Sequence, residues 1–258
     1  GDAGDRRVLP ADLTVTFAAG KPGLYLRDGR ALTGRVEVAD IGLDVSSARI
    51  HVVEPAEVSG WLPPRPPETH KWRSAVWIVA GSPGMAGAAA LACAGAQRTG
   101  AGYVRLSTPG GPGPDRPVVP VEVVQVDVPA DGWAGAVLDG DQLGRFRALV
   151  VGNGLGRGEG TAAEVRRVVA AARDAGLPTV VDADGLTALG AEAGRYVGPA
   201  TVLTQHDGEY ARLLGAPPGP DLLEAARRLA AGTGAIALLK GSTTVVAAPE
   251  GRALLAVA

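Results

Sequence analysis

Between Lys71 and Thr108 the chain runs from an apolar segment of strand length, SAVWIVA (Ser74 to Ala80), into GSPGMAGAA (Gly81 to Ala89). An alanine-dense helical segment (Ala86 to Arg98) and GAGYVRLSTP follow. Only glycine combines freedom at positive φ with room for a ligand to approach the backbone, and a helix starting at such a turn aims unsatisfied N–H groups at whatever sits there. The pattern suits a phosphate or nucleotide site at a strand end. Taken alone it equally suits a plain strand-to-helix connection, because glycine-rich turns are common in α/β proteins.

The rest of the chain repeats that alternation. YVRLS, VEVVQVDV, ALVVGN, PTVVDAD, TVLT and AIALLK read as further strands, with helical segments around Ala162 to Ala175, Glu209 to Leu214 and Leu222 to Ala231. Strands so uniformly rich in Val, Leu and Ile, separated by amphipathic helices, predict an α/β fold with a mostly parallel sheet covered on both faces. ALLK and TTVVAA, joined through Gly241, predict one antiparallel hairpin. Ligands of such sheets gather outside the carboxyl ends of the strands, where Gly81, Gly152, Asp182, Thr204 and Lys240 fall.

Composition narrows the partners. With 25 basic against 27 acidic side chains the net charge is −2, so nothing points to nucleic acid or a membrane surface. The single cysteine, Cys93, allows no intrachain disulfide, which fits a reducing compartment; it reads as a small buried apolar residue before a nucleophile. GDAGDRRVLP at the start lacks the basic and apolar regions of an export signal, and no apolar run is long enough to cross a bilayer, so a cytoplasmic location is expected.

Composition shifts near Val53 to His70, where proline-rich EPAEVSGWLPPRPPETHK reads as an extended linker. Before it, LTVTF (Leu13 to Phe17), a turn at Lys21 to Gly23, and RVEVADIGL (Arg35 to Leu43) supply strands too few for a stable domain alone. The expected division is 1–53, a linker over 54–70, and a main domain over 71–258.

Three later motifs carry polar or glycine-tipped strand ends: GNGLG (Gly152 to Gly156), LTQHDGE (Leu203 to Glu209) and LLKGSTTVV (Leu238 to Val246). Each has a plain alternative. GNGLG also suits a left-handed turn before a helix, His206 a surface position at a helix start, and Asp182 or Asp184 of VDADGL a helix cap. One sheet edge should nevertheless collect them all.

Together and in this order, these motifs resemble the ADP-dependent NAD(P)H-hydrate dehydratases of the ribokinase-like fold. The family's HK, apolar strand, GS and GAG match His70, Lys71, Gly81, Ser82, Gly87, Ala88 and Gly100 to Gly102. Its Gly-x-Gly-Leu-Gly matches Gly152 to Gly156, its Asp-Ala-Asp matches Asp182 to Asp184, and its Leu-Lys-Gly with a following Thr matches Leu239 to Gly241 and Thr244. Leu-Thr-Pro-His-Pro-Gly-Glu appears with Gln205 and Asp207 in place of both prolines, which keeps the polar contacts and reduces loop stiffness. Upstream, Ala11 to Leu24 and Val36 to Leu43 resemble the last strands of the Rossmann-like epimerase domain that precedes the dehydratase in bifunctional proteins. They are expected to be a docked remnant without epimerase activity and dispensable for nucleotide binding.

The resemblance implies a three-layer α/β/α sandwich and a reaction in two stages. A hydroxyl on the hydrated nicotinamide ring attacks the terminal phosphate of ADP, releasing AMP, and the ring nitrogen's lone pair then expels phosphate to restore NAD(P)H. It implies Ala88, Gly154, Gly156 and His206 on the hydrated dinucleotide (NADHX or NADPHX), and Lys240, Gly241, Ser242, Thr243 and Thr244 on ADP or ATP. Magnesium is implied on the nucleotide phosphates with no protein metal ligand, potassium for the epimerase domain, and a homo-oligomer. The family's catalytic aspartate lies in a Gly-Thr-Gly-Asp motif several dozen residues after the hairpin, which places it beyond Ala258, so the chain is expected to lack the general base. A ribokinase-like vitamin or sugar kinase and a non-catalytic nucleotide-binding fragment are the alternatives.

Overall fold

Apolar runs too short for helices form the centre of the fold. In the computed structural model, which describes residues 8–62, 64–111 and 118–257, Ala75–Val79 (β4) pairs in parallel with Tyr103–Ser107 (β5) on one side and Ala148–Val151 (β7) on the other. Residues 1–7, on which the absence of an export signal is read, lie outside the described residues, as do Pro63 of the linker, 112–117 and Ala258.

Thr179–Val181 (β8), Thr201–Gln205 (β9) and Ile236–Leu239 (β10) continue the parallel order from β7. Thr243–Ala247 (β11) returns antiparallel after Gly241, as the hairpin pattern predicts, and Ala253–Val257 (β12) runs antiparallel to it. Ile50–Val53 (β3) closes one edge, parallel to β12, and Val124–Gln125 (β6) the other. Within this ten-stranded sheet only β11 opposes its neighbours.

Both faces of the sheet are covered. Ile78, Val104 and Leu106 face Ala89 and Cys93 of Ala86–Arg98 (α3). The opposite face, with Trp77, Val79, Leu149, Val181 and Leu203, packs the larger core. There Glu159–Asp174 (α5) buries Val165, Val168, Val169 and Ala172, spaced as one helical stripe. Trp133–Leu138 (α4), Asp184–Leu189 (α6), Asp207–Leu214 (α7) and Leu222–Thr233 (α8) complete that layer. Asp221 caps α8 by accepting the Glu224 N–H at 3.0 Å.

The N-terminal stretch departs most from expectation. Leu13–Phe17 (β1) and Arg35–Ala39 (β2) form a separate two-stranded parallel sheet, joined through a crossover helix, Arg27–Thr33 (α1), where the sequence analysis gives only a turn at Lys21 to Gly23. The stretch read as an extended linker contains a helix, Pro55–Trp61 (α2). Proline stands at its first turn, and Glu54 and Glu57 form a reciprocal capping box, so local capping outweighs the lack of an apolar period. VEVVQVDV yields only β6: Val123 and Val128 are buried, but Val121 and Val124 are exposed, so only a short stretch pairs with β5.

Candidate functional site

At the carboxyl edge two turns hold each other. The Gly81 N–H donates to the Asn153 carbonyl at 2.8 Å, and the Ser82 hydroxyl donates to the Gly154 carbonyl at 2.9 Å. Gly152 has φ of 125°, and a Cβ there would lie 2.1 Å from the Asp182 carbonyl oxygen. At Gly154, with φ of 69°, a Cβ would sit 3.0 Å from the Met85 carbonyl and 3.7 Å from Ala88 Cβ. Both positions need glycine, for conformation and for space. Ala88 and Gly154, assigned by resemblance to one ligand, thus lie side by side though 66 positions apart in chain order, close enough that a Cβ on residue 154 would touch Ala88.

Asp182, at the end of β8, ties four strand ends together. Its Oδ2 accepts from Asn153 Nδ2 at 2.7 Å; its Oδ1 accepts from the Thr204 hydroxyl at 2.8 Å and from Lys240 Nζ at 2.7 Å. Asp184 accepts from the Gly156 N–H at 3.0 Å and from Arg157 Nε at 2.9 Å. The suggestion that either aspartate caps the following helix is therefore corrected. The residue before α6 is Ala183 and its cap has no side-chain hydrogen bond, because the Asp182 carboxylate serves neighbouring strand ends and the Asp184 carboxylate serves the loop at Gly156 and Arg157. Lys240 has three donors and spends one on Asp182, so two remain for a ligand.

His206 starts α7. Its Nδ1 accepts the Gly208 N–H at 3.0 Å, and its own N–H donates to Glu209 Oε2 at 2.9 Å, a capping box. The ring's Nε2 lies 3.6 Å from Glu209 Oε2, on a side chain 57% exposed. The helix-start reading and the ligand reading of His206 are compatible, one nitrogen serving each. Gln205 occupies the last position of β9, where its carbonyl accepts the Lys240 N–H at 2.8 Å. Its side-chain amide is fully buried with no hydrogen-bond partner among the described residues. Asp207 opens α7, where a carboxylate complements the positive end of the helix.

The hairpin residues divide by face. Thr243 is buried and its hydroxyl donates to the Tyr25 carbonyl, while Arg30 of α1 donates to the Ser242 carbonyl. Lys240, Gly241 and Ser242 are exposed, and Thr244 is half-buried on the other face of β11. The Thr243 side chain is thus engaged by the N-terminal unit rather than open to a ligand. Among the described residues no group of three or more His, Cys, Asp or Glu side chains forms a cation cage. Burial alone pushes the Cys93 thiol up to about 11, which suppresses the thiolate and supports its reading as a packing residue.

Asn153, bonded to Asp182, and Arg157, bonded to Asp184, belong to this site without having been given a role from sequence, whereas Thr204 falls at the strand end where the sequence placed it. The signal of the first two was weak: Asn153 follows β7 and Arg157 lies in the loop before α5, and the partner of each is an aspartate about thirty positions away in sequence.

The family model described as NAD(P)H-hydrate dehydratase matches residues 76–257. A bifunctional NAD(P)H-hydrate repair enzyme of Salinibacter ruber is 37% identical over 270 residues, covering 95% of this chain and 48% of that protein. One from Mycobacterium tuberculosis is 39% identical over 247 residues, covering 93% and 47%. The chain thus spans about half the length of the curated relatives it matches. An ADP/ATP-dependent NAD(P)H-hydrate dehydratase from Bacillus subtilis, co-crystallised with ATP and Mg2+, superposes with a TM-score of 0.64 at 32% identity, covering 80% of this chain and 72% of that one. A ribokinase-like superfamily protein from Enterococcus faecalis superposes with a TM-score of 0.68 at 18% identity, covering 83% and 74%, and bears on the fold alone. The ribokinase-like α/β architecture expected from sequence is the one found.

Proposed function

The chain belongs to the NAD(P)H-hydrate dehydratase family, and from that premise we propose that it forms the part of a nicotinamide repair enzyme that uses ADP to dehydrate the S-form of NADHX or NADPHX. The observation that carries the reading is the Asp182 network, which gathers Asn153, Thr204 and Lys240 onto one edge beside the paired turns at Gly81 and Gly154.

Phosphoryl transfer depends on positioning and on neutralising charge, with little covalent help from protein. Lys240, Gly241, Ser242 and Thr244 receive the nucleotide: the two free Lys240 donors neutralise phosphate oxygens, and glycine lets the backbone approach. The Thr243 hydroxyl, turned to Tyr25, holds the turn instead. Ala88, Gly154, Gly156 and the His206 Nε2 receive the hydrated dinucleotide. The ring hydroxyl oxygen, giving up its proton to water, attacks the β-phosphorus of ADP and AMP departs with the bridging oxygen; the ring nitrogen then expels phosphate with the C–O electron pair to leave an iminium, and loss of a proton from the adjacent ring carbon to water restores the dihydronicotinamide. ADP and hydrate are consumed, and NAD(P)H, AMP and phosphate appear one for one. Asp182 and Asp184 already serve protein donors, so magnesium is assigned to the phosphates rather than to a protein cage.

The division of the chain follows the same reading. Leu13, Val15, Phe17 and Val38 are exposed on β1 and β2, as suits strands that end a preceding epimerase domain, where the potassium of such enzymes belongs. Among the described residues no helix is long and apolar enough to cross a membrane, and a cytoplasmic homo-oligomer working on small molecules is part of the proposal.

The test is titration of the chain with ADP and with NADHX separately, then together with magnesium while AMP, phosphate and NADH are measured. Binding of both ligands supports the reading. A stable phosphorylated product that never releases phosphate would assign the site to a kinase instead.

A further inference from the structure

The turn assigned to the nucleotide is held from two sides. From one side, β9 fixes Lys240: its N–H donates to the Gln205 carbonyl at 2.8 Å, and its ammonium reaches Asp182. From the other side the grip comes from residues more than two hundred positions away. Arg30 donates to the Ser242 carbonyl, and the Thr243 hydroxyl donates to the Tyr25 carbonyl. Thr243 is only 2% exposed, so water does not compete for that bond. Tyr25 and Leu26 pack against the main core, and Arg27 donates to the Gly219 carbonyl at 3.1 Å in the loop before α8. The segment from Tyr25 to Arg30 is thereby docked on the main sheet rather than loosely tethered.

A hairpin connection of three residues, Lys240 to Ser242, has little stiffness of its own because glycine at its centre adds backbone freedom. Its position relative to the Asp182 network is set by what grips it. We propose that Arg30 is a positioning residue for nucleotide binding, and that the Tyr25–Arg30 segment holds the Gly241–Thr244 turn where it meets the phosphates. The inference rests on the assignment of Lys240 and this turn to the nucleotide. It replaces the expectation that the N-terminal segment is dispensable. Coupling is reciprocal: a nucleotide that needs the turn in place tightens the docking of the segment that places it.

Four variants of the full chain, Arg30→Ala, Arg30→Lys, Arg27→Ala and Lys240→Ala, test this by equilibrium titration with ADP and with NADHX. Arg30→Ala should weaken ADP about fivefold, as expected for one lost hydrogen bond to a positioned carbonyl, and leave NADHX within about twofold. Arg30→Lys, which can still donate to the Ser242 carbonyl, should recover part of the loss, and Arg27→Ala, which loosens the same segment only at the Gly219 carbonyl, should weaken ADP less than Arg30→Ala and leave NADHX unchanged. Amide exchange across Pro22 to Thr33 should slow when ADP is added to the unaltered chain, a response that a passive scaffold would not give. Arg30→Ala that leaves ADP affinity intact while Lys240→Ala reduces it overturns the inference and spares the assignment. If Lys240→Ala also leaves ADP untouched, the assignment itself falls. Equal weakening of both ligands by Arg30→Ala means general damage to the fold and overturns the inference, as does unchanged exchange on adding ADP.

Discussion

Lys240 and Asp182, 58 positions apart, meet with Nζ 2.7 Å from Oδ1 at the carboxyl edge of the sheet. The lysine side chain is 42% exposed, so the pair adds little to stability, about 0–1 kcal/mol after solvent screening. Its value is positional. It aims an ammonium with two unused donors at the space above β8 and β10.

Asp182→Ala removes the common acceptor of Asn153, Thr204 and Lys240. It should cost about 1–3 kcal/mol, chiefly because the part-buried Asn153 amide loses its acceptor, while Thr204 keeps the Val181 carbonyl and Lys240 turns to water. Asp182→Asn keeps an acceptor oxygen and should cost less than half as much. Urea midpoints of the three proteins at neutral pH check the order; equal losses would show that the network is ornamental to folding.

Gly154→Ala combines a residue at φ of 69° with a Cβ 3.0 Å from the Met85 carbonyl. The backbone conformation alone should cost about 1–2 kcal/mol. Because relief of the contact moves the turn that Ala88 faces, NADHX should bind more weakly while ADP is spared. Calorimetric titrations with each ligand separate the two effects.

His206→Asn tests the two nitrogens independently. Asparagine is a good cap and should hold α7 with a stability change within about 0.5 kcal/mol, whereas His206→Ala should lose about 1 kcal/mol. Both substitutions remove Nε2 and should raise the NADHX constant about tenfold, the loss of one charge-assisted hydrogen bond. Lys240→Ala should raise the ADP constant by a similar factor. If the histidine and lysine variants weaken the same ligand, the division of the site is wrong.

Cys93 should resist thiol reagents in the folded protein and react fully once urea unfolds it. Burial holds its pKa at about 11 against 9.0 for a solvated thiol. The folded state therefore keeps a proton that the unfolded chain gives up between those values, so stability should fall as pH rises from about 9 to 11. Thermal melts across that range, compared with Cys93→Ala, isolate the contribution; identical pH profiles would contradict it.

Removing residues 1–56 takes away β3 and bares the edge of β12, as well as the contacts to Ser242 and Thr243. An unpaired edge strand invites association, so this variant should aggregate more than the parent chain in light-scattering measurements. A more soluble variant would show that β3 adds nothing to the main sheet.

The parallel strands, α3, α7 and α8, the hairpin at Gly241 and the strand-end positions of Gly81, Gly152, Asp182, Thr204 and Lys240 were legible in the chain itself. Apolar period, caps and turn glycines act between residues a few positions apart, and motif order carried the family. Other features had no local signature. The helix α1 lies in a stretch with no buried residue of its own, so no stripe announces it. The commitment of Asp182 to neighbouring strand ends and of Asp184 to the loop at Gly156, the two-sided use of His206 and the bond from Thr243 to Tyr25, 218 positions away, arise only when separate strands are brought into register. A side chain's chemistry is written in the sequence; which donor reaches it is decided by the sheet that places both.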